Sequence, residues 1–193
     1  TNPKAMAVAG RTTGADISSK ITGGELGGLI DFRVNSLDPA QAQLGLVATT
    51  LSASFNAQQA LGLDLNGAAG AAFFTSTTPA VTAASANTGS AVITATIEDA
   101  SALTGDRYGL AYDGAAWALQ ILSTLAAEAI NPPATVHGFK VTIASGAASA
   151  GDSFLIDLVG SGASTFSVAL TDPEKIAAAM PVRSSETLTN MGD

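Results

Sequence analysis

The chain has 193 residues, room for one ordinary domain or a small domain with an appended element. Apolar residues make up 47% but aromatics only 5% and charged residues 12%, so alanine supplies much of the core and Gly, Ser and Thr much of the surface. That is too apolar for general disorder and too poor in charge for an ordinary soluble surface. The net charge is −8. Residues 1–78 carry four basic and five acidic side chains, residues 79–193 four basic and eleven acidic. No Lys/Arg cluster is available for a phosphate backbone or an anionic bilayer, which argues against nucleic acid and membrane as partners. With no cysteine, disulfides, thiolate metal sites and a Cys nucleophile are excluded together. The most apolar stretch, Ala115 to Ile130, is broken by Gln120, Ser123, Thr124 and Glu128 and is no bilayer span. The opening at Thr1 in mid-pattern, without a secretory signal, reads as an internal piece of a longer protein.

Residues 1–22 alternate weakly around Ala5, Ala7, Val8 and Ile17, the pattern of a poor hairpin or strand tail. Gly23-Gly24 and Gly27-Gly28 lack the Lys-Ser/Thr of a phosphate loop and read as easing a strand-to-helix transition. A long helix is then expected over 23–62. Ile30, Val34, Leu37, Leu44, Ala48, Leu51 and Phe55 recur at steps of four and three, with Gln41 the polar intruder, and form one apolar stripe. Asp38-Pro39 has the form of an N-cap followed by proline, a restart or kink, and Gly62 is the stop. Leu37, Leu44, Leu51 and Phe55 have two readings: ordinary core packing, or a seam that meets helices outside this chain.

A connecting loop is expected over 63–78, with Asp64-Leu65-Asn66-Gly67 as a turn rather than a calcium loop, which needs more oxygen ligands and a closing Glu. The period changes from Pro79 onward, and 79–172 reads as a compact antiparallel β domain of five to seven strands. Ala91 to Ile97 is β-branched; Tyr108 to Tyr112 and Trp117 to Ile121 form a hairpin about Asp113-Gly114. Residues 115–130 also suit a helix, although the preceding Asp-Gly favours strands. Val136 to Ile143, Ser153 to Val159 and Phe166-Val168-Leu170 complete the strands, with Trp117 and Phe154 buried. Residues 173–193 read as a short helical turn through Met180 and a polar linker. The fold class is α+β, mainly β.

No catalytic or cofactor template finds its parts. His137 is the single histidine and sits beside Gly138 in an expected strand, without a G-x-S-x-G elbow. Three imidazole or thiolate metal ligands cannot be assembled, and Glu98 and Asp99 read as solvated charges. The chain is therefore expected to be no enzyme, with no metal, cofactor or small-molecule substrate.

An ordered series of motifs spans nearly the whole sequence. It comprises ITGGELGGLIDFR at 21–33, Leu37-Asp38-Pro39, Leu44-Gly45, Phe55-Asn56-Ala57-Gln58, GLDLNG at 62–67 and Phe73-Phe74. It continues with Asp99-Ala100-Ser101-Ala102 closing the strand from Val92, Tyr112-Asp113-Gly114 with Trp117, GDSF at 151–154 and LTDPEKIA at 170–177. This series resembles the middle of the flagellar hook-associated protein 1 family (FlgK type). The resemblance implies a structural protein of the bacterial flagellum, exported by the flagellar type III apparatus without a cleaved signal and assembled as the hook–filament junction. It further implies an extracellular location, with other copies of itself and neighbouring axial proteins as partners. Residues 23–62 would be a helix of the axial core domain, 79–172 an outer β domain, and 1–22 a strand returning from a neighbouring region. The family's terminal coiled-coil segments are absent here. A different secreted β-rich surface or adhesin module is the alternative.

Overall fold

The structure, a computed structural model, describes residues 23–179. The expectations for 1–22, for Met180 and for the C-terminal linker lie outside those residues.

One continuous helical run carries the first part. Gly23 is extended and Gly24 left-handed (φ +71°), which swings the chain into α1 (Gly24–Phe32); Gly27 and Gly28 lie inside that helix. A π turn over Arg33–Leu37 follows, then α2 (Asp38–Ala60). Asp38 is itself helical (φ −61°, ψ −44°), so it is neither an N-cap nor a restart. The physical reason is Pro39, which cannot donate to the carbonyl four residues back and whose ring collides with it. Widening the turn relieves that conflict: the Asp38 N–H reaches five residues back to the Arg33 carbonyl. At the far end Leu61 and Gly62 donate to the carbonyls of Gln58 and Gln59, closing the helix at the expected glycine.

Among the described residues eight strands form two antiparallel sheets. They are β1 (Ala80–Ala83), β2 (Val92–Ile97), β3 (Arg107–Tyr112), β4 (Trp117–Ile121), β5 (Ala127–Ile130), β6 (Ala134–Val136), β7 (Phe139–Ser145) and β8 (Ser153–Asp157). The larger sheet has the order β1-β8-β3-β4-β5 and the smaller β2-β7-β6. The connections β1–β2 and β5–β6 each link an edge of one sheet to an edge of the other. Alternation sets the core: Tyr108 and Leu110, Trp117 and Leu119, Phe154 and Ile156 face inward from three neighbouring strands, and Phe139, Val141 and Ile93 face them from the smaller sheet. The register pairs Leu110 with both Leu119 and Phe154, so these three side chains share one layer.

The β3–β4 hairpin turns at the expected place, where the Asp113 carboxylate accepts from the N–H groups of Ala115 and Ala116. Residues 115–130 are strands, β4 and β5, joined by a turn in which Leu125 is left-handed (φ +60°). Two strand expectations need correction. Val136 to Ile143 is split into β6 and β7 by a tight turn at His137 (φ +47°) and Gly138 (φ +83°), the backbone signature of a two-residue hairpin. Phe166, Val168 and Leu170 make only an isolated bridge, Phe74 to Val168: the N–H groups of Ala169 and Leu170 both go to the Phe73 carbonyl, so no ladder propagates.

The face of α2 that meets the β region is small and polar apart from Leu46, which is partly buried against the core. Gly45, Thr49, Ser52, Asn56 and Gln59 recur at steps of four and three, and Thr49, Ser52 and Gln59 are each no more than 5% exposed. A methyl placed on Gly45 would collide with the Val159 carbonyl oxygen, and one on Gly162 would lie 2.6 Å from the Gly45 carbonyl oxygen. Helix and loop thus meet backbone to backbone. Hydrogen bonds complete the join: Thr49 to Thr77 (2.7 Å), the Asn56 amide to both N–H groups of Phe73 and Phe74 and to the Phe74 carbonyl, and Gln59 to the Lys175 carbonyl (3.0 Å). The chain returns to this helix end at its close, where Leu63 and Ala179 are antiparallel bridge partners.

Candidate functional site

With its polar face turned inward, α2 points its apolar stripe the other way. Leu37, Leu44, Leu51 and Phe55 are 51%, 63%, 49% and 43% exposed. Leu26, Leu29, Phe32, Val34, Val47 and Leu61 are exposed beside them, extending the apolar surface along the whole helical run. Core packing within the described residues therefore does not account for the stripe. The π turn adds about one residue to the helical count, so positions before it are rotated relative to those after it. Leu26, Leu29 and Phe32 are exposed because α1 packs substantially against no described element but the π turn. Val47 and Leu61 were visible as apolar residues on an exposed helix and were missed because only the strict four-three spacing was followed.

The four seam residues do not all behave alike. Leu37, Leu44 and Leu51 project freely. Phe55 packs at one edge against Phe73 and Phe74, with ring centroids 4.9 Å and 5.2 Å away, and Phe74 stacks on Phe166 at 4.8 Å. The seam thus ends on an aromatic cluster that fastens it to the loop after the helix. Aromatic pairs in such geometries add about 0.5–1.5 kcal/mol beyond their buried area.

The titratable residues are placed in turns and caps. His137 Nε2 lies 2.9 Å from Glu128 and its ring stacks on Tyr108, whose hydroxyl burial pushes upward in pKa. Asp64 accepts from the N–H groups of Asn66 and Ala68, as a turn residue does. Asp99 caps a short 3-10 turn, Ala100–Ala102, and the Ser101 hydroxyl and N–H hold its carboxyl below the usual range. Glu98 accepts from Thr135 and pairs with Lys140 at 3.9 Å. Among the described residues no three His, Asp or Glu side chains are grouped to share a metal ion. None of their helices is long and apolar enough to cross a membrane. The geometry of these groups is that of turns, caps and surface pairs.

Two family models match the chain: the flagellar hook-associated protein FlgK helical domain over residues 1–74, and the flagellar hook-associated protein 1 D2-like domain over residues 82–158. The chain belongs to the flagellar hook-associated protein 1 family. Flagellar hook-associated protein 1 of Escherichia coli (strain K12) is 34% identical over 160 residues, 81% of this chain and 29% of the relative. That of Salmonella typhimurium (strain LT2) is 32% identical over 163 residues, again 81% and 29%. The structure of the flagellar hook junction protein FlgK from Burkholderia pseudomallei superposes with a TM-score of 0.74 at 39% identity, covering 82% of this chain and 30% of that one. The chain thus spans under a third of the length of these family members. The two matched regions of the FlgK family divide it between the helical run and the strands.

Proposed function

We propose that this chain is a structural segment of the bacterial flagellum at the hook–filament junction, extracellular, acting by packing and not by catalysis. Residues 23–62 serve as a helix of the axial core domain, 63–78 as the connection and 79–172 as an outer β domain. Leu37, Leu44, Leu51 and Phe55 form the seam through which the helix meets other copies of the protein or neighbouring axial proteins. The relatives, hook-associated and hook junction proteins, support the location. The observation that carries the seam is the inversion of α2: small and polar residues are buried while a run of leucines is exposed. A contiguous exposed apolar stripe of this length marks an interaction surface, and its heptad spacing suits another helix.

Leu51→Asp in the full-length protein tests this. A carboxylate desolvated without a partner in a helix–helix seam costs several kcal/mol, whereas at an exposed position it costs little. Filament attachment and swimming should be lost while thermal melting of the β region, followed through Trp117, stays at its original temperature. If the variant swims normally, or if it melts the β region, the seam does not act as proposed.

A further inference from the structure

Helix α1 and helix α2 are anchored very differently. α2 is fastened along its length by the Gly45–Val159 contact and the Thr49, Asn56 and Gln59 hydrogen bonds. α1 packs substantially against no described element but the π turn, and its Leu26, Leu29 and Phe32 are exposed. The π turn therefore sits where the anchored helix becomes unanchored. Two open clefts flank the helix there. One of about 230 Å³ is lined by Arg33, Asp38, Gln41, Arg107, Asp157 and Gly160, and one of about 280 Å³ lies between Val34, Pro39 and Gln43 on the helix and Gly105 and Leu122 on the β side.

A single carboxylate spans this gap. Asp38 faces Arg33, the first residue of the π turn, at 3.6 Å and Arg107, the first residue of β3, at 3.7 Å. One turn further on, Gln41 donates to the Gly160 carbonyl (3.2 Å) and the fastened part begins. Asp38 is mostly covered, while both arginines are about one-third exposed, so the pairs are only partly shielded from solvent ions.

We infer that the π turn Arg33–Leu37 is a hinge and that Asp38, paired with Arg33 across the turn and with Arg107 on β3, is the latch that holds the turn in one geometry against the β region. This does not depend on the seam's partner. A helix interior with regular four-back hydrogen bonds resists bending, whereas a turn already widened by a proline has lost that regularity. The ion pair then supplies the remaining constraint, and a competing charge or a pull on α1 releases it without disturbing the packed part of α2.

The chain has no cysteine, so spin labels can be placed at will. Labels at Glu25→Cys and Ala86→Cys report across the hinge; labels at Gln58→Cys and Ala86→Cys report across the fastened part. In Asp38→Asn and in Arg33→Gln, the 25–86 distance distribution should broaden and shift while the 58–86 distribution keeps its width. The unsubstituted latch should behave in the same way in about 1 M salt, where screening acts within about 3 Å. Two results overturn the inference: a 25–86 distribution unchanged in both variants, or a 58–86 distribution that broadens along with it, which would mean that helix and β region loosen together.

Discussion

Neighbouring residues on α2 offer a test in which the ordinary expectation is reversed. On a conventional amphipathic helix Leu44 is buried and Gly45 exposed. Leu44→Ala would then cost about 2–5 kcal/mol, and Gly45→Ala would gain about 1 kcal/mol from helix propensity. In this structure Leu44 is 63% exposed. Full burial of a leucine is worth about 1.5–3 kcal/mol, so removing the covered third costs about 0.5–1 kcal/mol. A methyl on Gly45 instead meets the Val159 carbonyl, a backbone group that cannot swing aside, and the Val159 carbonyl carbon lies 2.9 Å from it. Overpacking of that kind costs about 1–3 kcal/mol, and against it stands the propensity gain of about 1 kcal/mol. Gly45→Ala should therefore be neutral to destabilising by about 2 kcal/mol instead of stabilising, and Leu44→Ala should fall within that same range. Urea denaturation followed by Trp117 fluorescence measures both. If Leu44→Ala costs more than 2 kcal/mol and Gly45→Ala raises the midpoint, the helix is packed the other way round and the exposed seam does not exist.

Three further outcomes are expected. Phe154→Ala should cost roughly 3–5 kcal/mol, because Phe154 is buried between the sheets beside Trp117, and the intact chain should show blue-shifted tryptophan emission. The carboxyl of Asp152 is held below its ordinary value first by the Ser149 N–H, against the opposing effect of burial, and then by the N–H groups of Thr88 and Gly89. Its folded pKa being the lower one, the stability it contributes is fully present above the unfolded value of 3.8 and is lost as pH falls through the folded value. The gap in urea midpoint between the wild type and Asp152→Asn should thus narrow on acidification below that value, and a gap independent of pH would refute the assignment. Leu125→Asn should raise stability by about 1 kcal/mol, since a left-handed leucine is strained where asparagine is tolerated and this exposed side chain gives up little burial; an unchanged melting temperature counts against that.

The parts of the fold legible in the sequence were those with a local cause. Asp113-Gly114 between two alternating runs specifies its hairpin, Gly62 ends the helix, and the period-two run from Trp117 outweighs the helical spacing of Leu119, Leu122 and Leu125. The π turn was not legible because its cause is a conflict, proline inside a continuing helix, which sequence rules resolve as a boundary. The turn after β4 has neither Gly nor Pro, so Leu125 gave no turn signal and β5 was not separated. The histidine at 137 hid a turn because asparagine is the usual residue in that left-handed position. The inverted face of α2 escaped for a more general reason. Hydrophobic periodicity identifies that a stripe exists but not which side of the helix its own chain covers, and here a series of Gly, Thr, Ser, Asn and Gln provides the inner contact by close approach and hydrogen bonding.

The bridge between Leu63 and Ala179 has a topological consequence. Residues 64 to 178 leave and rejoin the helix end through two backbone segments that pair antiparallel at a single bridge, Leu63 with Ala179. That bridge holds the two segments side by side, and the contacts of Thr77, Val159 and Lys175 with α2 fasten what lies between them. Connections between strands that touch neither the bridge nor α2 can consequently be lengthened while the spacing of the two segments, and so the course of the helix beside them, stays the same.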